Sequence, residues 1–346
     1  MTLSLLYQVR DMVERAWQKA QFNHDVFADI AEAALIEADF PRNFRFDWDE
    51  LTRWILQRGN VQAQNGRPTF SDLPFAVAHG NGGFYVELLT WTNSTSSIHQ
   101  HSFSGAFTVG QGSSIHSTFE IETLERITEN LQLVRGSLQN SERLEPGLVR
   151  RIDPAHKLSH SVFHLDEPTI SIVVRTNNEP WHMPQLTLLP PSYTYSPAWA
   201  MRDGQIEHLI RTFTLMHKVS APNLLQIAGD RFAELDFVRA LHLLIETRSL
   251  WYGPPLDVIL ARFKEAHGRL TEPLPKVIER FDFEGRIRRI RFIETDPHER
   301  FALAVLTVAH SRAQARAILK QHPRGEALIH ASTIPAMRKF WDELGD

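Results

Sequence analysis

Residues 97–101 read Ser97-Ile98-His99-Gln100-His101 and run on through Phe103, Phe107 and Val109 to Gly112. In an extended strand, side chains two positions apart leave the same face of the sheet. The pattern predicts a strand that aims two imidazoles at one point, where a single metal ion fits. Downstream, Glu145-Pro146-Gly147 and Asp153-Pro154 read as turns on either side of a short strand. They lead into His156, His160 and His164, then into Thr169-Ile170-Ser171-Ile172-Val173-Val174, a β-branched run of strong strand character. In a closed β-barrel the two histidine-bearing segments are expected to face one another across the lumen.

A lone histidine on a strand is more often structural than a ligand, and seventeen histidines in 346 residues make chance neighbours common. Two clusters at barrel spacing carry more weight, because a metal site needs a constellation of donors. His116 is read as a polar surface position on a neighbouring strand, with a hydrogen-bonding role behind the ligands as the alternative.

The two segments resemble the two motifs of the cupin superfamily. The first motif runs Gly, five residues, His-x-His, three or four residues, Glu, six residues, Gly. Here His99, His101 and Gly112 fit, and Gly105 or Ala106 stands at the Glu position. The second runs Gly, five residues, Pro-x-Gly, two residues, His, three residues, Asn. Gly147, Pro154 and His160 fit with one extra residue on each side of the proline; His156 replaces the second Gly and His164 the Asn. A three-histidine cupin resembles the cysteine dioxygenase branch, as does the context of Trp91, Thr95 and Ser97. Glu167-Pro168-Thr169-Ile170-Ser171 is similar to the Glu-Pro-Ala-Val-Ser of that branch. Where the branch continues Ser-x-His-x-Tyr, this chain has Ser171, Val173 and Arg175, and it has no cysteine to match one near Ala106.

The resemblance spans roughly residues 73–197. It implies an α+β chain built on a central antiparallel β-barrel, a double-stranded β-helix, with helical regions at either end. It implies a ligand set of His99, His101 and His160 with no carboxylate. His156 is the rival third ligand; the spacing to His164 and Pro168 favours His160. The metal implied is Fe(II), although imidazole also suits Zn, Ni and Cu, and Mn stays open. The implied reaction is O2-dependent oxidation of a small acidic or amino-acid-like metabolite. A non-oxidative isomerase or lyase with a Lewis-acid metal is the first alternative, and a metal- or ligand-sensing scaffold the second. Arg175 shares strand parity with Ser171, so both are candidate catalytic residues. On a lumen face the Arg175 guanidinium clamps a substrate carboxylate; on the rim it sits in water. Trp91, Phe103 and Phe107 are expected to wall the site. Tyr193 with Tyr195, or Trp181 with His182, are candidate mouth residues.

Composition limits the remaining classes. A net charge of −4 with 42% hydrophobic and 23% charged residues describes an ordinary globular chain and gives no basic field for nucleic acid. The absence of cysteine excludes disulfides, thiolate ligands and a cysteine nucleophile. Together with an N-terminus lacking signal-peptide layout, it leads to the expectation of a cytoplasmic protein without a membrane partner.

Three regions are expected. Residues 1–70 read as helices, with Leu6, Val9, Val13 and Trp17 on one face, then Val26, Ile30, Ala33 and Ala34 after Asn23 as cap. Asp47 and Glu50 read as a capping box, and residues 60–67 as a polar linker. Residues 73–197 form the barrel. Residues 198–346 are helical again, including one helix from Phe232 to Leu250 and another from Asp296, with Pro297 at its first position, to Lys320. The basic run Arg286, Arg288, Arg289 and Arg291 reads as a solvated helix face. The helical regions are also where a homo-oligomer would form.

Overall fold

The computed structural model describes all residues except 1, 58, 60–70, 93–94, 183, 197–202 and 346, so the polar linker expected at 60–67 lies outside the described residues. The chain is α+β. Helices fill Thr2–Lys19, Phe27–Glu37 and Trp48–Ile55 at one end and recur from Gly204–Lys218 to Met337–Glu343 at the other. Between them run β1 (Leu73–Gly80), β2 (Phe84–Trp91), β3 (His99–His101), β4 (Gly105–Gln111), β5 (Ser114–Thr128) and β6 (Leu131–Leu144). They are followed by β7 (Val149–Ile152), β8 (Ala155–His164), β9 (Thr169–Thr176), β10 (Thr187–Leu189) and β11 (Tyr193–Tyr195). The strands make a five-stranded sheet, β1-β2-β9-β4-β7, and a closed six-stranded barrel, β10-β11-β6-β5-β8-β3.

One expectation about the barrel is corrected. The two histidine segments are not opposite walls but hydrogen-bonded neighbours: β3 pairs antiparallel with β8, His99 opposite His160. The register then slips, so that His101 lies opposite Ala155. An irregularity of this kind re-aims a side chain, which is how His101 and His160 come to meet.

The five-stranded sheet is buried on both faces, and its alternation shows why. On β2 and β9, Phe84, Val86, Leu88, Ile170, Ile172 and Val174 pack against the N-terminal helices through Leu6, Val9, Trp17 and Phe27. The intervening residues Leu89, Trp91 and Val173, with Phe107 of β4, belong to a second apolar cluster on the other side. The helical face of Phe27–Glu37 is Phe27, Ala31, Ala34 and Leu35, with Ala33 exposed. The expected stripe was therefore rotated, because Phe27, the bulkiest residue of the turn, goes inward. Asp47 caps its helix as expected, accepting from the Asp49 and Glu50 backbone N–H groups.

The chain divides into two compact units: Met1–Glu120, Ser137–Met183 and Arg286–Asp346 in one, Ile121–Gly136 and Pro184–Gly285 in the other. The second unit has its own core around Tyr193, Phe213, Phe232, Phe237 and Phe263. Tyr193 is fully buried and donates to the Leu270 carbonyl. The expected helix 232–250 is two helices, Leu224–Glu234 and Phe237–Thr247. Leu235 is extended, and Asp236 accepts from the Val238 and Arg239 N–H groups, so a capping residue inside the run restarts the helix. Ser311 likewise divides the expected 296–320 helix into Pro297–Val308 and Arg312–Leu319. Among the described residues no helix is long and apolar enough to cross a membrane.

Candidate metal centre

His99, His101 and His160 converge. Their ligand atoms all lie within 4.8 Å of one another, and each residue is buried, at 3%, 5% and 4% exposure. Among the described residues no carboxylate joins them, for a steric reason. Gly105 lies so close to β9 that a Cβ there would sit 2.2 Å from the Val174 oxygen, so no side chain fits. Ala106 points the other way, into the core against the helices. Both positions aligned with the motif's Glu are thus unable to supply a donor. His156, the rival ligand, is exposed on the rim of β8.

Hydrogen bonds fix the rings. His99 Nδ1 donates to the Ser97 carbonyl at 2.7 Å, which leaves the Nε2 lone pair for a cation. His160 Nδ1 lies 2.9 Å from His116 Nε2, and His116 Nδ1 lies 3.1 Å from Glu142 Oε1. Arg150 holds that carboxylate through two hydrogen bonds, one of them Nε to Oε1 at 2.7 Å. Those bonds, reinforced by His116, lower the Glu142 carboxyl to about 2, so it is ionised and accepts only. The proton order then follows: His116 Nδ1–H donates to Glu142, His160 Nδ1–H donates to His116, and the His160 Nε2 lone pair is directed inward. His116 is therefore not the surface residue expected; at 3% exposure it stands behind His160 and orients its ring.

His101 Nε2 lies 2.8 Å from His160 Nε2. Two imidazole nitrogens face one another at that distance across a shared proton or a shared cation. Adjacent ligands of one ion, each bound at about 2.1 Å and at right angles, are separated by about 3 Å. Burial drives His99 down to about 4 and His101 and His160 well below the usual imidazole value, and the three rings and His116 oppose one another's protonation. At neutral pH the cluster offers neutral donors, the form that binds metal. The residues fit a mononuclear site.

His101 and His160 open into a small cavity of about 60 Å³ that is partly open to solvent. Its walls are mainly apolar, including Leu89, Trp91, Phe103, Phe107 and Val173. Ser171 and Arg175 also line it, as their parity predicts, with Glu87 from the paired strand β2. The Arg175 guanidinium lies 3.4 Å over the Phe103 ring, and its Nη2 donates to Asn178 at 2.9 Å. Among the described residues Arg175 makes no ion pair; burial lowers its affinity for its proton, and Glu87 and Tyr85 only partly offset this. Burial raises the Glu87 carboxyl.

The other sequence candidates go elsewhere. Trp181 is exposed at 61%. His182 sits with His24 beside the buried Glu179. Arg291, expected in solvent, is 2% exposed; it donates to the His164 carbonyl at 2.5 Å and to Thr95, and stacks 3.7 Å over Phe163. Glu142, Arg150 and Glu87 escaped the sequence reading because a charged residue on a strand ordinarily marks a solvent face, and nothing local distinguishes these from the exposed Glu120 or Glu122.

No protein-family model matches the sequence, and no curated protein matches it. Among solved structures, the chain is similar to the DMSP lyase DddQ from Ruegeria pomeroyi DSS-3, at 15% identity over 46% of this chain and 77% of that one, TM-score 0.26. A cupin-2 domain protein from Shewanella frigidimarina NCIMB 400 gives 13% identity over 37% and 98%, TM-score 0.22. A hydroquinone 1,2-dioxygenase from Sphingomonas sp. TTNP3 with 4-hydroxybenzoate bound gives 9% over 32% and 68%, TM-score 0.25. Of a structure of DMSP lyases RdDddP and RnDddQII the chain spans 44% of the length.

Proposed function

We propose that this chain is a cupin-type mononuclear metalloenzyme, an Fe(II)-dependent oxygenase that uses O2 on a small acidic or amino-acid-like metabolite. The observation that carries the reading is the convergence of three buried, neutral imidazoles at one edge of a mainly apolar cavity that also holds a guanidinium with no ion pair among the described residues. His99, His101 and His160 would hold the metal. A divalent ion held by three neutral ligands would keep its positive charge and would supply a binding template for the acid and, as Fe(II), electrons for O2.

The chain's own residues do the rest. Arg175 binds the substrate carboxylate, and its planar fork sets the orientation. Phe103, Phe107 and Trp91 exclude water, which strengthens that charge–charge contact. Ser171, on the same strand face, offers a hydroxyl to the bound acid. Glu142 and His116 keep the His160 proton on Nδ1 and so keep Nε2 available.

Anaerobic loading with Fe(II), followed by oxygen-uptake measurements against a panel of small carboxylic and amino acids, tests the reading. Metal-dependent O2 consumption that is abolished in His101→Ala is expected. Tight retention of Zn, Mn or Ni with turnover and no O2 uptake would move the reading to a Lewis-acid lyase or isomerase.

A further inference from the structure

The metal centre accounts for one end of the cavity, and the other end carries a polar atom that the centre does not use. His164 lies on β8 four residues beyond His160 and has the same parity, so the two side chains enter one cavity from backbone positions about 13 Å apart, at about 3.3 Å per residue. The ring is 2% exposed. It stacks on Trp91, with centroids 4.1 Å and planes 21° apart. Its Nδ1 is engaged by Ser114 Oγ at 2.9 Å. Its Nε2 is buried and has no hydrogen-bond partner among the described residues.

A buried polar atom without a partner is unfavourable, and its persistence calls for a ligand. Both degrees of freedom of this ring are set, its plane by Trp91 and its Nδ1 by Ser114, so the position of Nε2 is fixed. Between it and the metal centre the walls are mainly apolar, from Leu89, Phe107, Val162 and Val173, with the Ser171 hydroxyl level with Leu89. The cavity thus has an anion-binding end at Arg175, a mainly apolar middle and a neutral hydrogen-bonding end at His164. Burial and the nearby Arg291 keep the imidazole neutral, which excludes an ion pair there.

We infer that His164 is a specificity-determining subsite. It takes the hydroxyl or carbonyl group at the far end of a small carboxylic acid whose carboxylate lies at the Arg175 end. This rests on the reading of the cavity given under the proposed function and narrows its substrate class from small acids to acids with a second polar terminus.

The test uses two matched pairs of probes with the full-length, metal-loaded protein: phenylacetate with 4-hydroxyphenylacetate, and 3-phenylpropanoate with its 4-hydroxyphenyl counterpart. Affinities are read by calorimetry in the parent, His164→Phe and His164→Gln, with metal content and melting temperature of each sample. In the parent the hydroxyl tightens at least one pair by about fivefold, the net effect of one hydrogen bond. His164→Phe abolishes that preference while binding the hydroxyl-free acid as well as the parent does, and His164→Gln restores part of it. Metal content is unchanged in both variants. No hydroxyl preference in the parent, a preference that survives in His164→Phe, or failure of all four acids to bind would overturn the subsite. A parent that takes up no metal contradicts the metal centre instead, so the two failures are told apart in one experiment.

Discussion

The two faces of the five-stranded sheet are buried alike and do opposite things. On the helix side, Val86, Leu88, Ile170, Ile172 and Val174 are all 0% exposed and entirely aliphatic. On the cavity side the same strands alternate apolar residues with Glu87, Ser171 and Arg175. Burying polar groups stabilises nothing unless they are paired, so the second face departs from what stability alone favours. The difference separates a scaffold from a site within one sheet, one residue of parity apart.

Breaking the scaffold face has the largest effect on stability. Leu88→Ala or Ile172→Ala removes a fully buried side chain and is expected to cost about 2–5 kcal/mol, read from denaturant midpoints at constant slope. The protein that remains folded should still take up metal at the parent stoichiometry. A change below about 0.5 kcal/mol would show that the helices do not load this face.

Next comes the relay behind the centre. Glu142→Gln keeps the shape of the side chain but removes the negative acceptor that sets the proton order through His116 to His160. Metal affinity should fall about 10- to 100-fold, the usual effect of losing a partner behind a ligand, measured by competition with a chelator. Unchanged affinity would sever His116 and Glu142 from the centre.

Arg175→Met sharpens the contrast, because it makes the cavity face resemble the helix face. A half-buried charge that makes no ion pair among the described residues is replaced by an apolar chain of similar length, so the melting temperature should hold or rise. Affinity for a carboxylate probe such as phenylacetate should drop by about tenfold or more, as one charge-assisted contact is lost. Lost stability with intact carboxylate binding would make Arg175 structural.

The smallest effect is in pH. The Glu142 carboxyl is lowered to about 2 in the folded protein, mainly by Arg150. The stability it contributes is present above the ordinary carboxylate value near 4.5 and is lost as pH falls through about 2. Partial exposure screens the pair, so the contribution stays below about 1 kcal/mol. Parent and Glu142→Gln should therefore differ in unfolding midpoint at pH 6 and converge near pH 2; a gap that widens on acidification has the wrong sign.

Much of this was legible in the chain. Strand parity alone puts Ser171 and Arg175 on one wall, and the His-x-His with a histidine beyond the Pro154 turn marks the three residues that converge. Asp47 and Asp296 cap helices where the side chains say they should, because a cap is a local interaction. What parity could not supply was pairing: that β3 and β8 are neighbours depends on the closure of the barrel, and the slip between His99 and His101 leaves no trace in residue type. The inward roles of His116 and Glu142 were hidden for the same reason. They depend on which strand lies next to β8, whereas the local sequence offers only polar residues on long strands.

The most direct test of the three-histidine centre is the metal content of protein purified without a histidine tag and reconstituted anaerobically with Fe(II), in the parent and in His101→Ala. About one ion per chain in the parent and none in a folded His101→Ala variant is the predicted result. No bound metal in the parent, or equal metal in both proteins, would contradict the centre.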